Sequence, residues 1–281
     1  MGIILLQYNR NTIMKQSTLL LVLLLCATLV FGINPNKEYF LTPKDLQLKY
    51  EESQIKTVDN YTLNLWHIMP HANTTERTII ISYGDAGNMQ QCLNVAHALA
   101  EKGFNIWLYD YRGFGKSDDF EMNLDQLYYI EFVNDLSAVV DRAKSTNPET
   151  KICLFGLSMG TIINALYYHE HSNNVDFFIG EGLVYSAENV ADRIKEMSGK
   201  TIMLPHLDVR LEQIYASMQI PILLFFASED IVCNNDDIAM LRQRKGKMEI
   251  INYEGGHLAG MSVLGAPLYT QYIAFFLNNM K

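Results

Sequence analysis

The chain is poor in the residues that mark several common protein classes. It holds four cysteines, Cys26, Cys92, Cys153 and Cys233, with neither the short paired spacing of a zinc site nor the density of a disulfide scaffold. A Cys92–Cys233 bridge is compatible with the pattern, but an odd count once Cys26 is set apart leaves at least one thiol free. Basic residues are outnumbered, 22 Lys plus Arg against 31 Asp plus Glu, for a net charge of −9. No basic cluster tracks a surface long enough for phosphate binding, so nucleic acid is not an expected partner. Internal repeats and low-complexity stretches are missing. So is an apolar run of the roughly 20 residues that a membrane span requires. The nearest approach is Thr18–Phe31, interrupted only by threonine.

That short run follows Arg10 and Lys15, the layout of a secretory signal peptide. Val30 and Gly32, or Ala27, are small enough to flank a cleavage point. Residues 1–32 are therefore expected to be a signal peptide or, alternatively, an uncleaved anchor. Either predicts export, with a periplasmic, secreted or membrane-tethered product, and the anchor adds association with a membrane. Cys26 belongs to this segment.

What the chain does have is regular texture. Residues 33–54 read as a polar lead-in. Ile55–Val58 and Leu63–Ile68 are β-like runs around Asp59-Asn60, a tight-turn pair that predicts a hairpin. From Thr78 on, short apolar runs recur at Thr78–Tyr83, Asn105–Tyr109, Lys151–Phe155, Phe177–Ile179, Ile222–Ala227 and Met248–Tyr253. Runs of that kind suit strands buried on both faces of a parallel sheet. Helical spacing fills the gaps: Cys92, Val95, Ala96 and Leu99; Leu127, Ile130, Val133, Leu136, Val139 and Val140; Ile162, Ile163 and Leu166; Leu268, Tyr272, Phe275 and Phe276. The alternation predicts an α/β domain over residues 55–281, with helices on both sides of a mostly parallel sheet. One interval is too long for a single crossover. Its helix-like stretches Ala187–Met197 and Leu207–Met218 suggest a small cap insertion at about 183–219.

Chemistry concentrates at the ends of those strands. Gly156-Leu157-Ser158-Met159-Gly160 follows the run Ile152–Phe155 and precedes a helix. A serine on a strained strand-to-helix turn is exposed for nucleophilic attack, with flanking glycines removing side chains that would clash. The backbone N–H of Met159 then faces the oxyanion that attack creates. A serine hydroxyl needs a base. Of seven histidines, His257 alone sits beyond the last strand on a Gly255-Gly256 loop. His67, His71, His97, His169 and His171 read as bystanders, and His206 as a cap residue able to line a pocket. Asp230, just past the run 222–227, is the expected partner of that imidazole. Glu229, Asp236 and Asp237 lie close by, the last two in the manner of helix N-terminal acids. The order Ser158, Asp230, His257 is the one this kind of sheet requires.

With these motifs in view, the chain resembles the α/β-hydrolase superfamily over essentially all of residues 55–281, and is most similar to the BEM46-like serine hydrolases. The likeness rests on Tyr83-Gly84-Asp85-Ala86-Gly87-Asn88, on Asp110-Tyr111-Arg112-Gly113-Phe114-Gly115-Lys116-Ser117, on the serine turn, and on the Asp230 and Gly256-His257 segments. The resemblance implies a structural role for Arg112, anchoring the loop beneath the serine turn, and a second oxyanion donor in the backbone of Asp85. The family usually has histidine in place of Tyr83 and often asparagine in place of Asp85. An ionised Asp85 side chain would oppose an oxyanion unless turned away. The expected activity is hydrolysis of a small-molecule carboxylic ester or thioester through an acyl-serine, without metal or cofactor. A peptidase or amidase using the same triad, and a non-catalytic ligand-binding hydrolase fold, stay open beside it. Met197, Ile202, Met203, Leu204 and Leu207 are candidates for an apolar acyl pocket or for core.

Overall fold

A computed structural model of the protein describes residues 32–71 and 75–280. The signal-or-anchor segment, Gly32 apart, lies outside the described residues, as does Cys26. No helix among the described residues is long and apolar enough to cross a membrane.

Eight strands form one sheet: β1 (Tyr50–Lys56), β2 (Thr62–Ile68), β3 (Arg77–Ser82), β4 (Asn105–Tyr109), β5 (Lys151–Leu157), β6 (Phe177–Glu181), β7 (Ile222–Ala227) and β8 (Met248–Tyr253). Their order across the sheet is β8-β7-β6-β5-β3-β4-β2-β1. β2 runs antiparallel to both β1 and β4, and all other pairings are parallel. The apolar runs form the central strands because both their faces are covered. Ile79, Ile80, Ile81 and Ile152–Phe155 are fully buried, in register as Ile79↔Cys153 and Ile81↔Phe155. The β1–β2 hairpin turns at Asp59-Asn60, where Asn60 takes φ 73° and the Thr57 hydroxyl donates to Asp59.

The helices are α1 (Leu93–Ala100), α2 (Ile130–Thr146), α3 (Met159–Glu170), α4 (Ala187–Ser198), α5 (Leu211–Ser217), α6 (Asn235–Leu241), α7 (Gly260–Leu264) and α8 (Ala266–Asn279). α1 buries Val95, Ala96 and Leu99, the face its spacing predicts. Two faces differ in part from expectation. In α2, Val133, Leu136, Val139 and Val140 are buried as their spacing predicts and Phe132 joins them, while Leu127 precedes the helix and Ile130 is solvent-exposed. In α8, Leu268 and Phe275 are exposed, whereas Tyr269, Ile273, Phe276 and Leu277 face the core. Pro267 in its first turn and Gly265 before it fix where the helix starts, and with it the phase of its stripe. The second helix between β6 and β7 starts at Leu211, later than its pattern suggests. The stretch before it is irregular, and Met203 bridges to Gln126 there.

The three described cysteines are all free and buried, so no Cys92–Cys233 bridge forms. Burial, with the Asp110 carboxylate adding to it, pushes the Cys92 thiol up to about 12, that of an inert core residue.

Arg112 is 1% exposed, and it ties the far side of the sheet together. Its guanidinium donates to fully buried Asp135 of α2 at 2.7 and 2.9 Å and to Asp59 of the hairpin turn at 2.9 Å, and lies over the Tyr61 ring at 4.2 Å. Its own N–H also donates to Asp135, at 2.9 Å. Burial raises the Asp135 carboxyl to about 6 even with the cation beside it, so this aspartate depends on its partner. Replacing Arg112 by alanine is expected to destabilise the fold by about 3–5 kcal/mol, because it strands a buried carboxylate. Asp59→Ala, at the exposed end of the same cluster, costs much less. Urea unfolding of the two variants checks the contrast.

Candidate active site

The site is assembled where β3, β5, β6 and β7 end. β5 runs into Ser158, which holds φ 52° and ψ −119°, a left-handed conformation that costs a non-glycine residue on the order of 1–3 kcal/mol. Its neighbours make the turn possible. A Cβ on Gly160 would stand 1.9 Å from the Ser82 carbonyl oxygen, and one on Gly156 would stand 2.7 Å from the Thr161 backbone. The backbone of the turn is fully engaged: Ser158 N–H donates to Glu181 O at 3.0 Å, and Ser158 O accepts from Thr161 N at 2.8 Å and Oγ1 at 2.7 Å.

Asp230 and His257 meet across the ends of β7 and β8. His257 Nδ1 lies 2.9 Å from Asp230 Oδ2 and 3.1 Å from Oδ1, and Asp230 is 7% exposed. Val232 N–H also donates to Asp230 Oδ1, at 2.7 Å, orienting the carboxylate. With Nδ1–H donated to the carboxylate, the imidazole keeps Nε2 as its free lone pair, the tautomer of a general base. The neighbouring acids take other duties. Glu229 is exposed, Asp236 stands in the first turn of α6, and Asp237 there accepts from Arg193 at 2.9 Å. The remaining described histidines border no part of the site's cavity. His67 stacks on Trp107 at 4.3 Å, and His206 is exposed beside Asp208 rather than lining a pocket.

Ser158 and His257 border one cavity of about 240 Å³. Ser158 makes no side-chain hydrogen bond to His257 among the described residues, and such contacts commonly tighten only when substrate arrives. Asp85 and Met159 border the same space. Of the five apolar candidates, Ile202 and Leu204 line it. Met197 and Met203 are exposed, and Leu207 packs against the core. The sequence reading missed Leu127, Tyr129, Val184, Ile194 and Val232 as lining residues. Val190 and Ile194, on one face of α4, carry a detectable i, i+4 signal; Leu127 falls in the spacing ahead of α2, and Tyr129, Val184 and Val232 lie outside regular periodicity.

The loop that carries Asp85 is held from outside the sheet. Asn34–Pro35 pairs in parallel with Ala86–Gly87, Asn34 N–H donates to Asp85 O at 2.8 Å, and buried Asn88 donates to the carbonyls of Asn36 and Glu38. The lead-in is thus part of the site's support. Tyr83, in the family's histidine position, is buried, and its hydroxyl donates to Asp110 at 3.4 Å. Asp110 also accepts from Met89 N–H at 2.9 Å and from the Tyr39 hydroxyl. Burial raises the Asp85 carboxyl to about 6; its own backbone N–H and nearby His257 pull the other way. That N–H is the same group the oxyanion would want. No group of three His, Cys, Asp or Glu side chains among the described residues could hold a metal ion.

Comparison with known proteins bears on the family and the fold. A family model described as serine aminopeptidase, S33, matches residues 73–209. The chain is 26% identical to the α/β-hydrolase domain-containing protein WAV2 of Arabidopsis thaliana, over 61% of this chain and 52% of that protein. It is 22% identical to protein bem46 of Schizosaccharomyces pombe, over 59% of this chain and 55% of that one. The chain thus spans about half the length of these relatives. The uncharacterized protein YfhR of Salmonella typhi matches at 25% over 97% of both chains. Among solved structures, the Pyrococcus furiosus esterase Pf2001 superposes with TM-score 0.73 at 20% identity, over 88% of this chain and 98% of that one. The Butyrivibrio proteoclasticus protein Est1E with ferulic acid bound gives 0.65 at 19% identity, over 81% of this chain and 100% of that one. At such identities the structural likeness speaks for the fold.

The carboxyl of Asp85 offers a direct check. Its carbon resonance in a ¹³C NMR titration is expected to move with a midpoint near 6, well above an ordinary aspartate. His257→Ala should raise that midpoint further, because an imidazolium nearby favours the ionised form. A midpoint near 4 in the parent protein would contradict the burial described here.

Proposed function

Because the chain belongs to the α/β-hydrolase superfamily, with its likeness running to the BEM46-like members, we propose that it cleaves carboxylic ester or thioester bonds through an acyl-Ser158 intermediate. The observation that carries the reading is a strained serine at a strand end, sharing one cavity with a histidine whose Nδ1 is held by a buried aspartate. His257 Nε2 takes the Ser158 proton as Oγ attacks the carbonyl carbon. The resulting imidazolium, stabilised by Asp230, gives the proton to the leaving group. A water molecule, deprotonated in turn by His257, then releases the acid. The backbone N–H groups of Met159 and Asp85 serve as oxyanion donors, each contributing roughly 10²–10³ in rate. The α3 helix starts at Met159 and adds its positive end.

The cavity favours a small acyl group. Its volume falls below the roughly 300–1,000 Å³ of drug-sized sites, and its walls are mostly aliphatic. The family model's description keeps amide cleavage in play, since the same triad serves both bonds. One series of p-nitrophenyl esters of increasing chain length, run beside a thioester and a peptide anilide, ranks these substrates. Short esters are expected to lead it.

Ser158→Ala should abolish p-nitrophenyl butyrate turnover and fluorophosphonate labelling while leaving the fold intact. Retained turnover in pure protein would sink the assignment. Asp85→Asn should raise kcat severalfold at pH 8, where the native carboxylate is ionised and opposes the oxyanion. The gain should shrink toward none as pH falls through about 6. The ratio of the two pH–rate profiles measures it.

A further inference from the structure

Glu181 ends β6 and is 3% exposed, yet its carboxylate meets no cation. It accepts instead from three neutral donors: the Tyr253 hydroxyl at 2.8 Å, the Gly260 backbone N–H at 2.7 Å, and the Tyr269 hydroxyl. Burying a carboxylate on neutral donors alone is costly, so what those donors belong to matters. Tyr253 is the last residue of β8 and Gly260 the first of α7. Between them lies the loop 254–259, with His257 near its middle. The loop is otherwise loose in composition, with two adjacent glycines, Gly255 at φ 153° and Leu258 at φ 56°. Glu181 closes its neck by holding both ends, and Tyr269 fastens the same carboxylate to α8. Gly260 belongs to the clamp, since a Cβ there would stand 2.7 Å from Glu181 Oε1. Burial and the carboxylate both push the two phenols well above their ordinary range, so they stay protonated and keep donating.

The same residue touches the other half of the site. The Glu181 carbonyl accepts the Ser158 N–H at 3.0 Å. The next residue, Gly182, lies against the imidazole so closely that a Cβ would stand 2.3 Å from His257 Cε1. Glu181 itself does not border the cavity.

The geometry points to Glu181 as a positioning residue that sets the His257 loop in register with the Ser158 turn, through its clamp on Tyr253, Gly260 and Tyr269. It touches no reacting atom, and its effect passes through His257. The inference rests on the acyl-Ser158 reading above.

The test uses the full chain with p-nitrophenyl butyrate. In Glu181→Gln the side chain keeps its volume but turns an amide N–H₂ toward one of its three donors, opening one side of the clamp. Its kcat is expected to fall about 10- to 100-fold, the scale of an ångström-level misplacement, with KM within about twofold because the cavity wall is untouched. Tyr253→Phe, which removes one donor, should give a smaller fall in kcat of the same kind. The deciding measurement is a double-mutant cycle. In a His257→Ala background, Glu181→Gln should cost nothing more if it acts through the histidine, whereas a general loosening of the fold would multiply the two losses. Wild-type kcat in Glu181→Gln, or multiplied losses in the double variant, overturns the proposal. Should Glu181→Gln fail to fold, unchanged kcat in both Tyr253→Phe and Tyr269→Phe overturns it equally. Full activity in His257→Ala alone would instead overturn the acyl-serine reading.

Discussion

Ser158 stands in a backbone conformation that a side chain resists, and the space around it can be filled only one way. Gly160 must lack a Cβ because the Ser82 carbonyl occupies its place, and Gly156 must lack one because the Thr161 backbone does. The strand β5 therefore has to lie beside β3 and run parallel to it, with α3 folding back over both. Once that is fixed, the ends of β3, β6 and β7 arrive around the serine. Asp85, Gly182 and Asp230 arrive with them, and β8 brings His257 in behind. The strain at one residue is supported by the packing of the whole sheet, in keeping with the general link between strained backbone and reactive sites.

A second regularity governs the loops at those strand ends. Several of them are held by a buried carboxylate in addition to apolar contacts. Asp110 holds the Asp85 loop through Met89 N–H and the lead-in through Tyr39. Asp135 holds Arg112. Asp230 holds His257 and the turn at Val232. Apolar side chains of these loops are buried too, Met89, Tyr111 and Phe114 among them. Directional bonds in a low-dielectric setting add to that packing, and satisfied networks of this kind fix a single geometry.

The parts of this molecule legible in the sequence are those set by local rules. Buried parallel strands declare themselves as short apolar runs, and β3 to β8 fall within a residue or two of them. The serine turn shows because glycine, serine and strand sit at fixed spacing. Asp230 was legible only as a choice among neighbouring acids, which position alone could not separate and the His257 contact does. Glu181 and Gly182 left no local mark, because their significance comes from the register between β6, β5 and the loop after β8. The lead-in was opaque for the same reason: Asn34–Pro35 is polar and without periodicity, and pairs only because Ala86–Gly87 offers an open edge. The face of α8 differs from its apolar pattern because Gly265 and Pro267, rather than that pattern, decide where the helix begins.

Asp85 shows how the two charges of such a site pull on one group. In the proposed mechanism the site holds, during attack, an oxyanion on one side and an imidazolium on the other, and an ionised Asp85 would repel the first while attracting the second. The imidazolium already has Asp230 at 2.9 Å, so a further anion adds little to it. In that mechanism the oxyanion relies on backbone donors, and one of them, the Asp85 N–H, is also drawn to the Asp85 carboxyl itself. The repulsive effect therefore dominates whenever the carboxyl is charged. Burial answers this in part by raising the carboxyl to about 6, which reduces the ionised fraction under mildly acidic conditions. In the proposed mechanism an aspartate at this position thus makes the oxyanion site sensitive to pH through its own side chain.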